Sequence, residues 1–152
     1  ATSYKFIPSV FDDSLEDYKI NKGMSELTAL SQEIKNTEYP KDRNVLIEER
    51  KSKSNALQKW LFDNYQFLNI NGETKSVTKI FEEYNTLNPP AAAGECAAPK
   101  LLNYAFEHNL SPLAIAEFWW GISPKSEERL HLQKYPACEN KCRPILAYML
   151  AE

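Results

Sequence analysis

A small α/β domain behind a helical arm is the fold this sequence predicts, and three observations lead there. Apolar residues recur at helical spacing through the first third, short apolar runs closed by turn residues follow residue 65, and prolines stand where helices should begin. The 152 residues are one domain's length, and 43% hydrophobic with 12% aromatic content is enough to pack a core. The expected architecture is a small sheet flanked by helices. Residues 1–65 supply an extended lead-in and the helical arm, and residues 66–152 the α/β core.

Taken in order, residues 1–18 read as extended chain, with Phe6, Ile7, Val10 and Phe11 around Pro8. Met24, Leu27, Leu30 and Ile34 predict a helix over 23–38, broken in the segment 36–42 that contains Pro40. A longer helix is expected over 43–65, its apolar face made by Leu46, Ile47, Ala56, Leu57, Trp60 and Leu61. Its first half is crowded with charge, so it reads as a lightly packed polar arm that pairs with the preceding helix. Phe67 to Ile70 before Asn71-Gly72 is a strand entering a tight turn, and Ser76 can cap a short helix carrying Val77, Ile80 and Phe81. Asn88 to Gly94, rich in proline and alanine, is a loop leading into Cys96. Pro99 then fits the first turn of a helix bearing Leu101, Leu102, Ala105 and Phe106, closed by His108 or Asn109. Leu113 to Trp120 is an apolar run stopped by Gly121 and is the best strand candidate, while Glu127 to Leu132 is ambiguous. Pro144 requires the last helix to begin near Cys142, with Ile145, Leu146, Met149 and Leu150 facing the core.

Composition narrows the function. A net charge of −3 argues against nucleic-acid binding through bulk charge, leaving Arg50, Lys51 and Lys53 as the one visible basic cluster. A solvated helix face explains that cluster as well. Nothing reaches the length of apolar sequence needed to span a membrane, and the residues after Ala1 have no signal-peptide pattern. Three cysteines, an odd number, suit a reducing compartment, so a cytoplasmic location is expected. A chain that opens on Ala1 and stops inside a helical pattern is expected to be a piece of a longer protein.

Chemistry concentrates at Cys96, Cys138 and Cys142. Cys96 stands three residues before Pro99 and Cys142 two before Pro144, both near predicted helix starts, with Cys138 in the preceding turn. Unpaired N–H groups at a helix start favour the thiolate, the form that binds metal or attacks. Three thiolates can hold one zinc ion and leave a fourth position open, with His131 a candidate fourth ligand. Buried, inert thiols and a disulfide are the alternatives. The pattern is in outline like the zinc deaminases, which pair a His-or-Cys-x-Glu helix start with a later Pro-Cys-x-x-Cys start. Here Ala98 stands in place of the glutamate and the second pair is one residue too long, so deaminase activity is not expected. Glu95 and Glu117 are the carboxylates available to stand in spatially for it. A carboxylate in the apolar run 113–120 needs a partner, for which Lys100, Lys125, Arg129 and His131 are candidates. Trp119 and Trp120 read first as core aromatics on a central strand, with stacking on unpaired bases as the alternative. His108 fits a favourable contact at a helix end.

Three phrases carry a family likeness: Pro89-Pro90-Ala91-x-Ala93-Gly94-Glu95-Cys96-Ala97-Ala98-Pro99-Lys100-Leu101-Leu102, then Ala116-Glu117-Phe118-Trp119-Trp120-Gly121-x-Ser123-Pro124-Lys125, then Tyr135-Pro136-Ala137-Cys138-x-x-Lys141-Cys142-x-Pro144-Ile145-Leu146. Together they resemble the long N-terminal extension of certain bacterial RluA-type pseudouridine synthases. Weaker similarity covers Arg50 to Phe81, carried by Leu57-Gln58-x-x-Leu61-Phe62 and Asn71 to Lys75, and is echoed in Lys5 to Asp12. The helical arm is shorter than the charged helices such proteins often carry. Members of that family isomerise uridine in ribosomal or transfer RNA without a cofactor, using an aspartate in a His-Arg-Leu-Asp type motif. No such motif occurs here, so the resemblance places the catalytic domain beyond Glu152. It implies a non-catalytic accessory domain that helps position RNA or organise the parent enzyme. A degenerate, zinc-bearing deaminase-like domain and a dimerisation module working through Leu46 to Leu61 are the other expectations.

Overall fold

The computed structural model describes residues 7, 10, 16–84, 88–124 and 128–151, and of residues 16 and 17 the backbone only. Most of the lead-in expected over 1–18, and Lys125, therefore lie outside the described residues. The chain divides into two compact units, Phe11–Tyr65 and Ala1–Val10 with Gln66–Glu152. Among the described residues there are five helices and one two-stranded antiparallel sheet. No helix is long and apolar enough to cross a membrane.

The first unit is a hairpin of α1 (Glu16–Asn36) and α2 (Pro40–Asn64). Pro40 does more than interrupt the chain: it occupies the first turn of α2, where its missing N–H is not needed. Contacts run antiparallel, from Lys19 over the Trp60 ring at 4.3 Å to Lys53 near Glu26 and Arg50 Nε donating to Ser31 Oγ at 2.6 Å. Leu27 and Leu30 are buried as the helical spacing predicted, whereas Met24 is exposed. Gly23 lets the helices approach closely, since a Cβ there would lie 2.8 Å from Leu57 Cδ2. The basic cluster is neutralised locally: Lys53 pairs with Glu49 at 3.2 Å, and Lys51 with Glu48 at 3.8 Å. A solvated, charge-balanced face is what the arm presents there.

The second unit starts with β1 (Gln66–Leu68) and β2 (Thr74–Ser76), paired Gln66 to Ser76 through Leu68 to Thr74. Asn69, 4% exposed, shapes the turn between them, its Oδ1 accepting from Asn71 N at 3.0 Å and Glu73 N at 2.8 Å. Gly72 supplies the positive φ of 82° that the turn requires. Ser76 caps α3 (Val77–Glu83) by accepting from Lys79 N, as the sequence suggests. The remaining helices are α4 (Ala97–Glu107), closed by His108, and α5 (Arg143–Leu150).

Helix α5 is the centre of this unit, packed by α3, α4 and β1. Ile145 and Met149, four residues apart on one face, are fully buried, as are Phe67, Val77 and Phe81. Ile70 N donates to Met149 O at 2.9 Å, tying the hairpin turn to the end of α5.

One expected element is absent. The run Leu113 to Trp120 is not a central strand. Among the described residues it forms one antiparallel bridge, Phe118 to Lys134, and leaves Leu113, Ile115, Phe118 and Trp120 exposed. Apolar character alone gave that segment its strand reading, but a strand needs a continuous partner. The partner here turns at Leu132 (φ 63°) and meets Pro136, so the ladder stops after one bridge.

Asn103 is the polar keystone of the unit: 2% exposed, its Oδ1 accepts from Leu68 N and its Nδ2 donates to Glu107 Oε1, both at 2.8 Å. Asn103→Ala leaves the Leu68 N–H without this acceptor and should cost about 2 kcal/mol. Urea denaturation checks this; an unchanged midpoint would show that the hairpin does not depend on α4.

Candidate metal centre

The loop before α4 delivers Cys96. Residues 91–94 make a turn in which Ala93 N donates to Pro90 O at 3.1 Å and Glu95 N to Ala92 O at 3.3 Å. Cys96 follows as the cap residue of α4, in extended conformation, and makes no side-chain capping bond. Its sulfur instead lies 4.0 Å from Cys138 Sγ.

Cys138 and Cys142 are placed by the start of α5. Cys138 O accepts from both Cys142 N (3.2 Å) and Arg143 N (3.1 Å), so the two cysteines stand one helical turn apart. A C-x3-C spacing thereby works as a ligand pair, because residues four apart share a face on a helical turn. Cys142 is the cap residue of α5, with Pro144 in its first turn. All three sulfurs lie within 4.8 Å of one another, where the N-terminal ends of α4 and α5 meet. Sulfurs sharing a tetrahedral zinc with Zn–S bonds near 2.3 Å stand about 3.8 Å apart, so the donors need to contract by about 1 Å at most. Cys142 is fully buried while Cys96 and Cys138 are half-buried, which leaves the open side of the cluster at those two.

The thiols polarise one another. Hydrogen bonding from the Cys142 thiol, aided by Cys138 and Lys141 and opposed by burial and Glu117, lowers Cys96 to about 6. Cys142 is pushed up by that same interaction with Cys96 and by burial. Without metal, the thiolate form is thus favoured at Cys96 and disfavoured at Cys142.

Glu117 has a different partner from the four cations the sequence offered. Its Oε1 accepts from Ala98 N at 2.9 Å, taking the free N–H that the Cys96 side chain leaves without a capping bond. A carboxylate at this end of a helix is favoured by the helix dipole. Lys100 is engaged by Glu95 at 2.7 Å, and Arg129 lies over the Tyr135 ring at 4.2 Å. His131 does not join the cluster: its Nδ1 accepts from Gly121 N at 3.0 Å and its ring meets Trp120 edge-on at 4.7 Å. His108 Nδ1 lies 2.8 Å from Tyr104 O at the end of α4.

The bridge between Phe118 and Lys134 explains how these parts meet. Trp119 N donates to Gln133 O at 3.0 Å and Tyr135 N to Glu117 O at 3.2 Å. That ladder sets Glu117 against the start of α4, and Tyr135-Pro136-Ala137 then carries the chain from the same point to Cys138. Sequence reasoning missed the capping role of Glu117. Its signal was a lone carboxylate in an apolar run, which shows that a partner exists without saying that it is a backbone N–H.

Because the thiolate is the nucleophile, the reduced, metal-free chain should be alkylated at Cys96 with a rate that falls as pH drops through about 6. Iodoacetamide labelling followed by peptide mass spectrometry reads this; a midpoint near the ordinary thiol value of about 8.5 would contradict the thiol network. No family model matches this chain, no curated protein is significantly similar to it, and no solved structure matches its fold.

Proposed function

We propose that this chain is a zinc-binding, non-catalytic accessory domain of an RNA pseudouridine synthase. The observation that carries the metal reading is the convergence of Cys96, Cys138 and Cys142 within 4.8 Å at the starts of two helices. Three sulfur donors are a soft set that suits zinc, and the half-buried side leaves room for a fourth ligand or water. Bound there, the ion would cross-link the N-terminal ends of α4 and α5. The RNA reading rests on the three sequence phrases, which contain all three thiols, Glu117 and the paired tryptophans. Catalysis would belong to a domain outside this sequence, which has no His-Arg-Leu-Asp type motif of its own.

A second reading, a degenerate deaminase-like site acting on a base, draws support from one contact. Glu117 places its carboxylate on the backbone N–H of Ala98, the residue that stands where the deaminase pattern has its glutamate. That carboxylate is committed to capping α4, which favours a structural role over proton shuttling.

The chain should purify with about one zinc, and Cys96→Ser or Cys138→Ser should lower that below about 0.1 per molecule. Elemental analysis with thiol titration checks it: absent zinc and three freely titratable thiols would end the metal reading. Removing this region from its parent enzyme should weaken RNA affinity while leaving the isomerisation chemistry intact. Unchanged affinity and unchanged choice of uridine would end the RNA-positioning reading.

A further inference from the structure

An accessory domain that positions RNA must touch it somewhere, and a net charge of −3 gives no bulk attraction to phosphate. The ladder that builds the metal centre also creates an outward face. Phe118 and Lys134 are bridge partners, so their side chains lie together on one side, while Glu117, Trp119 and Tyr135 take the other and are half-buried. Trp120, two residues beyond Phe118, is 73% exposed and Phe118 is 55% exposed. The His131 ring stands edge-on against Trp120 at 4.7 Å.

Building on the RNA-positioning reading, we propose that Phe118 and Trp120, with Lys134 beside them, form a stacking surface for unpaired bases of single-stranded RNA. Aromatic rings left open to solvent accept the flat face of any base, and a neighbouring ammonium meets the backbone phosphate. The nearby acid does not oppose this, because Glu117 points to the other face and is held by Ala98 N. Lys134, the bridge partner of Phe118, puts a cation on the same side as the exposed rings, which complements a phosphate backbone. Binding led by stacking and a single cation has a shallow salt dependence, which an acidic protein tolerates.

The test is fluorescence anisotropy of a labelled oligouridylate titrated with the 152-residue chain, alongside sedimentation equilibrium. Phe118→Ala/Trp120→Ala should weaken binding by about tenfold or more. Lys134→Ala should reduce the slope of log affinity against log salt by about 0.7. Leu113→Ala, at a 98% exposed residue outside the ladder, should change neither. Both ring variants remove exposed side chains, and circular dichroism with zinc content confirms that the fold is kept. RNA binding that survives the double variant would overturn this surface and leave the RNA-positioning reading standing. Absence of any oligonucleotide binding would overturn the surface as well, while the affinity of the parent enzyme judges the broader reading separately. A dimer abolished by the double variant would reassign the face to self-association.

Discussion

Two helix starts in the larger unit face the same three sulfur atoms, and the candidate site depends on that meeting. Helix N-termini carry partial positive charge, so bringing α4 and α5 together at that end is unfavourable unless something negative sits between them. The chain supplies it twice over: a thiolate at Cys96, stabilised by its neighbours, and the Glu117 carboxylate on Ala98 N. A divalent ion held by three thiolates carries net negative charge and would serve the same end with greater strength. The local electrostatics thus favour the clustered thiols with or without an occupant.

The short ladder at 117–119 and 133–135 has two tasks, and the alternation of side chains along it separates them. One face turns Glu117 inward as a cap, and the ladder leads the chain on to Cys138. The other turns Phe118 outward beside Lys134. Geometry of the metal centre and exposure of the aromatic face are therefore linked through one stretch of backbone. A substitution that disrupts the ladder would disturb both, whereas trimming an exposed ring disturbs only one.

The helical hairpin follows another logic. Its charged residues pair among themselves, Lys53 with Glu49 and Glu26, so the arm is balanced instead of basic. Close approach at Gly23 and burial of Leu27 and Leu30 hold α1 against α2. Exposed Val45 and Ile47 show how little of the first half of α2 is covered.

Local rules made much of this legible. Proline cannot sit in a helix interior, so Pro99 and Pro144 fixed where two helices begin, whereas Pro40 was legible only as a break and α2 starts on it instead of at residue 43. The cap at Ser76 and the turn at Asn71-Gly72 follow from side chains acting on their own backbone. Placing Cys96 and Cys142 at helix starts needed nothing more. Tertiary structure alone decided that the sulfurs meet, because 42 residues separate Cys96 from Cys138 and no local interaction measures that distance. It alone decided that Leu113 to Trp120 lies exposed with one bridge, since an apolar run records the need for a neighbour and not whether one arrives. And it alone gave Glu117 to a backbone N–H, which every helix start offers and no sequence marks.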